Sequence, residues 1–199
     1  QQTIQASDTP LSIACFEIAS VSLGYKALDA ITRRTGIRIL EASVLGPSRF
    51  MILCSGETRA LEELHAPVRS ILDGITTDRL IDHEVIDRIE SQVLEGLYAL
   101  SQVSLNESLV VIECETVCGL LASAHAMIHS GGLSVIEIKL HRGAGHGGYA
   151  FFTGSAKSCL PAAENARTRL RDGLRKGSVE VIDSPAPGFR EFFNLSGEI

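Results

Sequence analysis

The residues able to do chemistry in this chain are four histidines, two closely spaced cysteines and two glutamates. His125, His129, His141 and His146 are metal-ligand types, and Cys114 and Cys118 are separated by three residues. Neither set has the spacing of a zinc site, which needs a second ligand pair near the first. Cys15, Cys54 and Cys159 also lie inside apolar runs, so all five cysteines read as small buried hydrophobes. Glu17 and Glu113 could act as general acid and base, but no nucleophile or oxyanion donor accompanies them. They read instead as structural carboxylates that cap a helix or form salt bridges. The stretch Arg142, Gly143, Ala144, Gly145, His146, Gly147 has a Gly-x-Gly core of the kind that cradles phosphate. A phosphate cradle requires a helix N-terminus after it, whereas the following residues, from Tyr149 to Thr153, read as a strand. The expectation is no catalytic residue, no cofactor and no bound metal.

The elements that position these residues occur twice. At an offset of 96, Glu17, Val21, Ala30, Gly36 and Glu41 meet Glu113, Val117, Ala126, Gly132 and Glu137; after the glycine-rich insertion the offset is 98 and Gly56 meets Gly154. In the first copy, the apolar run from Leu11 to Ile18 predicts a buried strand. Gly24, Ala27, Leu28 and Ile31 then line one face of an amphipathic helix closed by Gly36. Strands from Ile37 to Ala42 and Phe50 to Cys54 form a hairpin around the turn Leu45-Gly46-Pro47-Ser48. A second helix from about Glu57 to Leu72, kinked or ended by Pro67, precedes a strand near Arg79 to Val85 and a polar helix to about Leu100. The second copy repeats the order through strands at Leu109 to Glu113, Leu133 to Leu140, Tyr149 to Thr153 and Val179 to Ile182. The fold class is α+β: two tandem β-α-β-β-α-β modules, residues 10–103 and 107–199, each a mostly antiparallel sheet with helices on one face.

Composition excludes several partners. With 199 residues and 45% hydrophobic content, the chain can bury two small cores. A net charge of -6 without a basic stripe argues against nucleic acid. No apolar run reaches the roughly 20 residues a membrane helix needs, and the first residues lack a signal peptide's basic start and apolar middle. Free cysteines in apolar runs suit a reducing compartment, so a cytoplasmic location is expected.

The strings "EIASVSLGYKALDAI" from Glu17 and "ECETVCGLLASAHAM" from Glu113 resemble the first strand-to-helix passage of the bacterial microcompartment shell domain. The hairpin strings "FMILCSG" and "AFFTG" continue the likeness in both copies. Each copy opens with the strand that precedes its first helix, so the chain resembles the unpermuted tandem-domain class. The resemblance implies a structural shell-facet component: a homotrimer in which each chain supplies two of six wedges of a flat pseudohexagonal tile, packed edge to edge with other shell proteins.

In single-domain relatives a lysine late in the first helix makes the contact between tiles. Arg33 and His129 stand at that place in the two copies, and a largely neutral histidine would hold a partner more weakly. The arginine-containing turn that relatives carry after the fourth strand is replaced by Ser184-Pro185-Ala186-Pro187. The hairpin loops would line a central pore for small polar metabolites: Leu45, Gly46, Pro47 and Ser48 in the first copy, and Arg142, Gly143, Ala144, Gly145, His146 and Gly147 in the second. One branch of the class places a cluster-binding cysteine in the first loop; Leu45 stands there, so no iron-sulfur cluster is expected. A threefold axis would gather three copies of His146, a geometry that could hold zinc, but a solvated loop histidine is the simpler expectation. Charged His146 with Arg142 and Arg49 would favour anionic metabolites. The alternative from another class is a regulatory or sensor protein that binds a small molecule between two α/β modules.

Overall fold

A computed structural model describes residues 11–72, 79–142 and 147–195. The first copy contains β1 (Ser12–Ile18), α1 (Val21–Thr32), β2 (Arg38–Gly46), β3 (Arg49–Gly56), α2 (Thr58–Glu62), α3 (His65–Leu72), β4 (Leu80–Ile86) and α4 (Ser91–Leu97). The second contains β5 (Ser108–Cys114), α5 (Val117–His129), β6 (Leu133–Leu140), β7 (Gly148–Gly154), α6 (Ala156–Asp172), β8 (Gly177–Ile182) and α7 (Pro187–Leu195). Strand orders β2-β3-β1-β4 and β6-β7-β5-β8 make two antiparallel sheets with the same topology. The repeat persists in side-chain detail. Ser12 donates to Asp87 at 3.0 Å and its counterpart Ser108 donates to Asp183 at 2.9 Å.

Three local expectations need correction. The long second helix of the first copy is two short ones, α2 and α3, and Pro67 falls in the first turn of α3, where its missing N–H costs no helical bond. The first hairpin turn is only Pro47 and Ser48; Leu45 and Gly46 continue β2 and are buried, because Leu45 packs into the core beside the second copy. The proline-rich stretch after β8 does not remain a turn. From Pro187 it winds into α7, with proline at the first helical position, where its fixed φ favours helix.

Burial explains why β1 has no polar alternation. Ala14, Phe16 and Ile18 face the first copy's own helices, while Ile13 and Cys15 share a cluster with Val117, Cys118 and Leu121 of α5. Strand β1 is therefore covered on both faces, which suits a continuous apolar run. In the reverse sense, helix α4 of the first copy packs on β6 of the second. This approach needs a glycine, since a Cβ at Gly96 would meet Val135 Cγ1 at 2.4 Å. One core thus runs through both copies, while a second, smaller one lies between the first copy's sheet and its own helices.

Candidate functional site: the seam between the copies and the hairpin ends

The seam is built from the start of α5. Thr116 caps this helix by accepting the Gly119 N–H at 3.1 Å, as Ser20 caps α1 through Leu23 N–H at 3.3 Å. Both β-hydroxyl caps are readable in the sequence. Helix α5 also receives a cap from the other copy: Glu17 Oε1 accepts the Cys118 N–H at 3.0 Å. Positive charge at a helix N-terminus favours a carboxylate there. Glu17 is 0% exposed, and burial raises its pKa against the lowering effects of the Cys118 N–H and Arg49. Arg49 lies 3.4 Å from Glu17 Oε2 and donates to the Glu115 carbonyl at 2.9 Å, tying the first hairpin to the second copy.

A second cluster closes the other side. Arg175, before β8, donates to Asp82 at 2.8 and 2.9 Å and to Glu84 at 2.6 Å, both on β4. Arg169 also donates to Glu84. Burial disfavours the Arg175 charge, but the hydrogen bonds to Asp82 and Glu84 outweigh it and hold the group firmly protonated. Thr116 Oγ1 donates to Asp82 at 2.6 Å. The sequence reading missed Asp82, Glu84, Arg169 and Arg175. Their signal was present, because Arg79 and Glu84 meet Arg175 and Glu180 at the repeat offset of 96.

Glu17, Asp82 and Cys118 offer ligand atoms within 4.8 Å of one another, so the seam is also a candidate metal site. Its donors do not fit a cation. Both carboxylates are already held by arginines, and burial raises the Cys118 thiol pKa well above its usual value, keeping the sulfur protonated. Cys114 and Cys118 do not act as a pair: Cys114 Sγ lies 3.8 Å from Thr116 Oγ1, and Cys118 is buried in the core cluster that also holds Cys15.

The other sequence candidates are dispersed. His125 Nδ1 accepts the Glu90 N–H at 3.3 Å and His129 Nδ1 lies 3.0 Å from Glu90 Oε1, so both histidines meet the first copy beside α4. Arg33 sits on the exposed side of α1 and pairs with Asp29 at 2.9 Å. Glu113, unlike Glu17, is exposed. It borders a cavity of about 400 Å³ lined by Glu113, Cys114, Glu115, His141, Lys176 and Ser178.

At the hairpin ends, Pro47 and Ser48 are exposed, whereas Leu45 is 0% exposed and Gly46 is buried with it. Arg142 reaches across to the first copy, 2.6 Å from Glu41 and 3.0 Å from Ser43 Oγ. Gly147 holds φ at 62°, and a Cβ there would meet the Cys114 carbonyl at 1.8 Å. Gly143, Ala144, Gly145 and His146 lie outside the described residues. With Arg142 on Glu41 and Arg49 on Glu17, the cationic pair expected to attract anions is already neutralised. Among the described residues no helix is long and apolar enough to cross a membrane.

No family model matches the sequence. The bacterial microcompartment shell protein PduT of Citrobacter freundii is 21% identical over 176 residues, a match covering 88% of this chain and 91% of that protein. A crystal structure of a microcompartment protein from Desulfitobacterium hafniense superposes with a TM-score of 0.75 at 21% identity, covering 92% of this chain and 99% of that one. Two copies of one α+β module, fused in sequence and packed through a common core, define a tandem-domain architecture. The chain therefore shares its tandem-domain fold with that microcompartment protein and is similar over most of its length to a microcompartment shell protein.

Proposed function

We propose that this protein is a structural facet component of a bacterial microcompartment shell, working in the cytoplasm as a homotrimer of pseudohexagonal outline. The observation that carries this reading is the seam. The first copy caps the first helix of the second, and that helix covers the face of β1 turned away from the first copy's own helices, so each copy behaves as a wedge with unlike sides. Unlike sides associate head to tail, and six wedges from three chains complete a ring.

The hairpin ends then converge on the ring axis. Pro47, Ser48, Arg142, Gly143, Ala144, Gly145, His146 and Gly147 line the pore, with Leu45 and Gly46 behind them at the buried end of β2. Small polar metabolites pass there while the facet retains the contents. Arg33 and His129 lie at the tile edges and meet neighbouring shell proteins. The protein performs no catalysis itself; its role is assembly and selective passage.

The sensor reading would need a ligand cavity between the copies. Cys15, Leu45, Met51, Val117 and Cys118 fill that space as one buried cluster. Light scattering after size exclusion tests the proposal: a trimer of 21.3 kDa chains is expected at micromolar concentration, and a stable monomer would overturn it. Electron microscopy of that trimer should show a flat hexagonal outline with an axial depression.

A further inference from the structure

The repeat gives each side chain of the first copy an internal control. His65, the first residue of α3, meets Ala163 at the offset of 98, and His83, in the middle of β4, meets Val179 at the offset of 96. The register holds around them: Leu61, Val68 and Leu72 meet Cys159, Ala166 and Leu170, all of them buried. Ala163 and Val179 are themselves buried in one apolar cluster. The fold thus needs no polar group at either position, yet the first copy carries an imidazole at both. The two rings meet between α3 and β4 with their centres 4.9 Å apart and their planes tilted by 41°.

We infer that His65 and His83 form a binding site for one late transition-metal ion of the zinc class, with water filling the remaining coordination positions. Nε2 of His83 is buried without a hydrogen-bond partner, on a ring that also packs against Phe16 at 4.7 Å. A buried nitrogen left unsatisfied is destabilising, and an ion between the rings satisfies it. His65 is exposed, which leaves the pair open to solvent. The spacing fits as well: with Zn–N of about 2.0–2.1 Å and a ring centre about 1.1 Å beyond the nitrogen, two imidazoles at the tetrahedral angle have centres about 5 Å apart. Burial, and then the charge of His65, lower the His83 pKa and keep its imidazole in the neutral form that ligates. Among the described residues no third histidine, cysteine or carboxylate completes the set, so the site is an open one. Imidazole ligands with open positions suit zinc, copper or nickel rather than magnesium or calcium.

The other histidine pair does not compete. His125 and His129 have ring centres 5.6 Å apart, but His125 Nδ1 accepts the Glu90 N–H, which puts the ring proton on Nε2 and leaves no lone pair for a metal. The ion at His65 and His83 joins α3 to β4 within the first copy. There it takes the place of the apolar contact that Ala163 and Val179 supply in the second, where one continuous helix, α6, covers the sheet. The assignment lies inside one copy and does not depend on the trimer.

Calorimetric titration of zinc into the full chain tests the assignment, with thermal melting in the presence and absence of zinc as a second readout. Wild type should show one saturable site per chain, and zinc should raise its melting temperature. His65→Ala and His83→Val introduce the residue types that the second copy carries, so both should keep the wild-type circular dichroism spectrum. Each should weaken zinc binding at least about tenfold, the loss that outer-shell partners alone can cause, and abolish the zinc-dependent rise in melting temperature. Should His83→Val disturb the core, His65→Ala decides the matter from an exposed position. His129→Ala is the control and should leave affinity and stoichiometry unchanged. Absence of saturable binding in wild type, unchanged affinity in His65→Ala, or a loss of affinity in His129→Ala instead overturns the site.

Discussion

Glu17 Oε1 accepts the backbone N–H of Cys118 at 3.0 Å, so a strand carboxylate of the first copy caps the first helix of the second across 101 residues of chain. The contact is local in space and remote in sequence, and it ties the two copies together.

Removing that carboxylate should expose its value. Glu17→Ala leaves the Cys118 N–H and the Arg49 guanidinium short of a buried partner and should cost about 3 kcal/mol in urea unfolding. Glu17→Gln keeps an acceptor and should cost clearly less. Burial raises the folded-state pKa, so the folded protein binds a proton more tightly than the unfolded chain and wild type loses stability as pH rises through that window. The Gln variant should lack this component; equal pH profiles for the two would refute the assignment.

Arg175 and Arg33 predict opposite outcomes for the same residue type. Arg175→Met strands Asp82 and Glu84 in a seam where the arginine side chain is only 8% exposed, and should cost about 4 kcal/mol. A double-mutant cycle with Asp82→Asn should give a coupling above about 1 kcal/mol. Arg33→Ala breaks an exposed pair and should change stability by less than about 0.5 kcal/mol, while weakening lateral assembly of tiles into sheets.

Helix α4 tolerates no side chain at its contact with β6. Gly96→Ala drives a methyl into Val135 and should destabilise by about 2 kcal/mol, despite the better helix propensity of alanine. Adding Val135→Ala should recover part of the loss. A Gly96→Ala protein that melts higher than wild type would show that the helix does not sit against β6.

Two histidines should make the fold sensitive to mild acid. Burial lowers the pKa of His83, whose Nε2 is buried without a hydrogen-bond partner, and that of His125, whose Nδ1 accepts from Glu90. A lowered folded pKa means the unfolded chain takes up protons first, so stability falls as pH drops through the ordinary histidine range. His125→Asn keeps an acceptor but cannot titrate, and its loss of stability between pH 7.5 and 5.5 should be smaller than that of wild type.

The duplicated α+β order was legible because each module writes its own periodicity. Apolar runs of strand length, the apolar helix face and the closing glycine are local signals, and the repeat set each one against its counterpart. The single long helix across Pro67 failed for a local reason as well, since the chain breaks just before the proline rather than at it. Helix α7 escaped because Ser184-Pro185-Ala186-Pro187 signals a turn until proline is read as a helix start.

By itself the sequence determined two modules, the order of their strands and the pairing of positions at offsets of 96 and 98. Only the tertiary structure decided which member of each pair is covered. Leu45 reads as a loop residue yet lies buried under the second copy, and Glu17 and Glu113 occupy the same strand position yet differ completely in exposure. Periodicity depends on neighbours three or four residues away, whereas burial of a module face depends on another module about 100 residues along the chain, whose orientation no local pattern encodes.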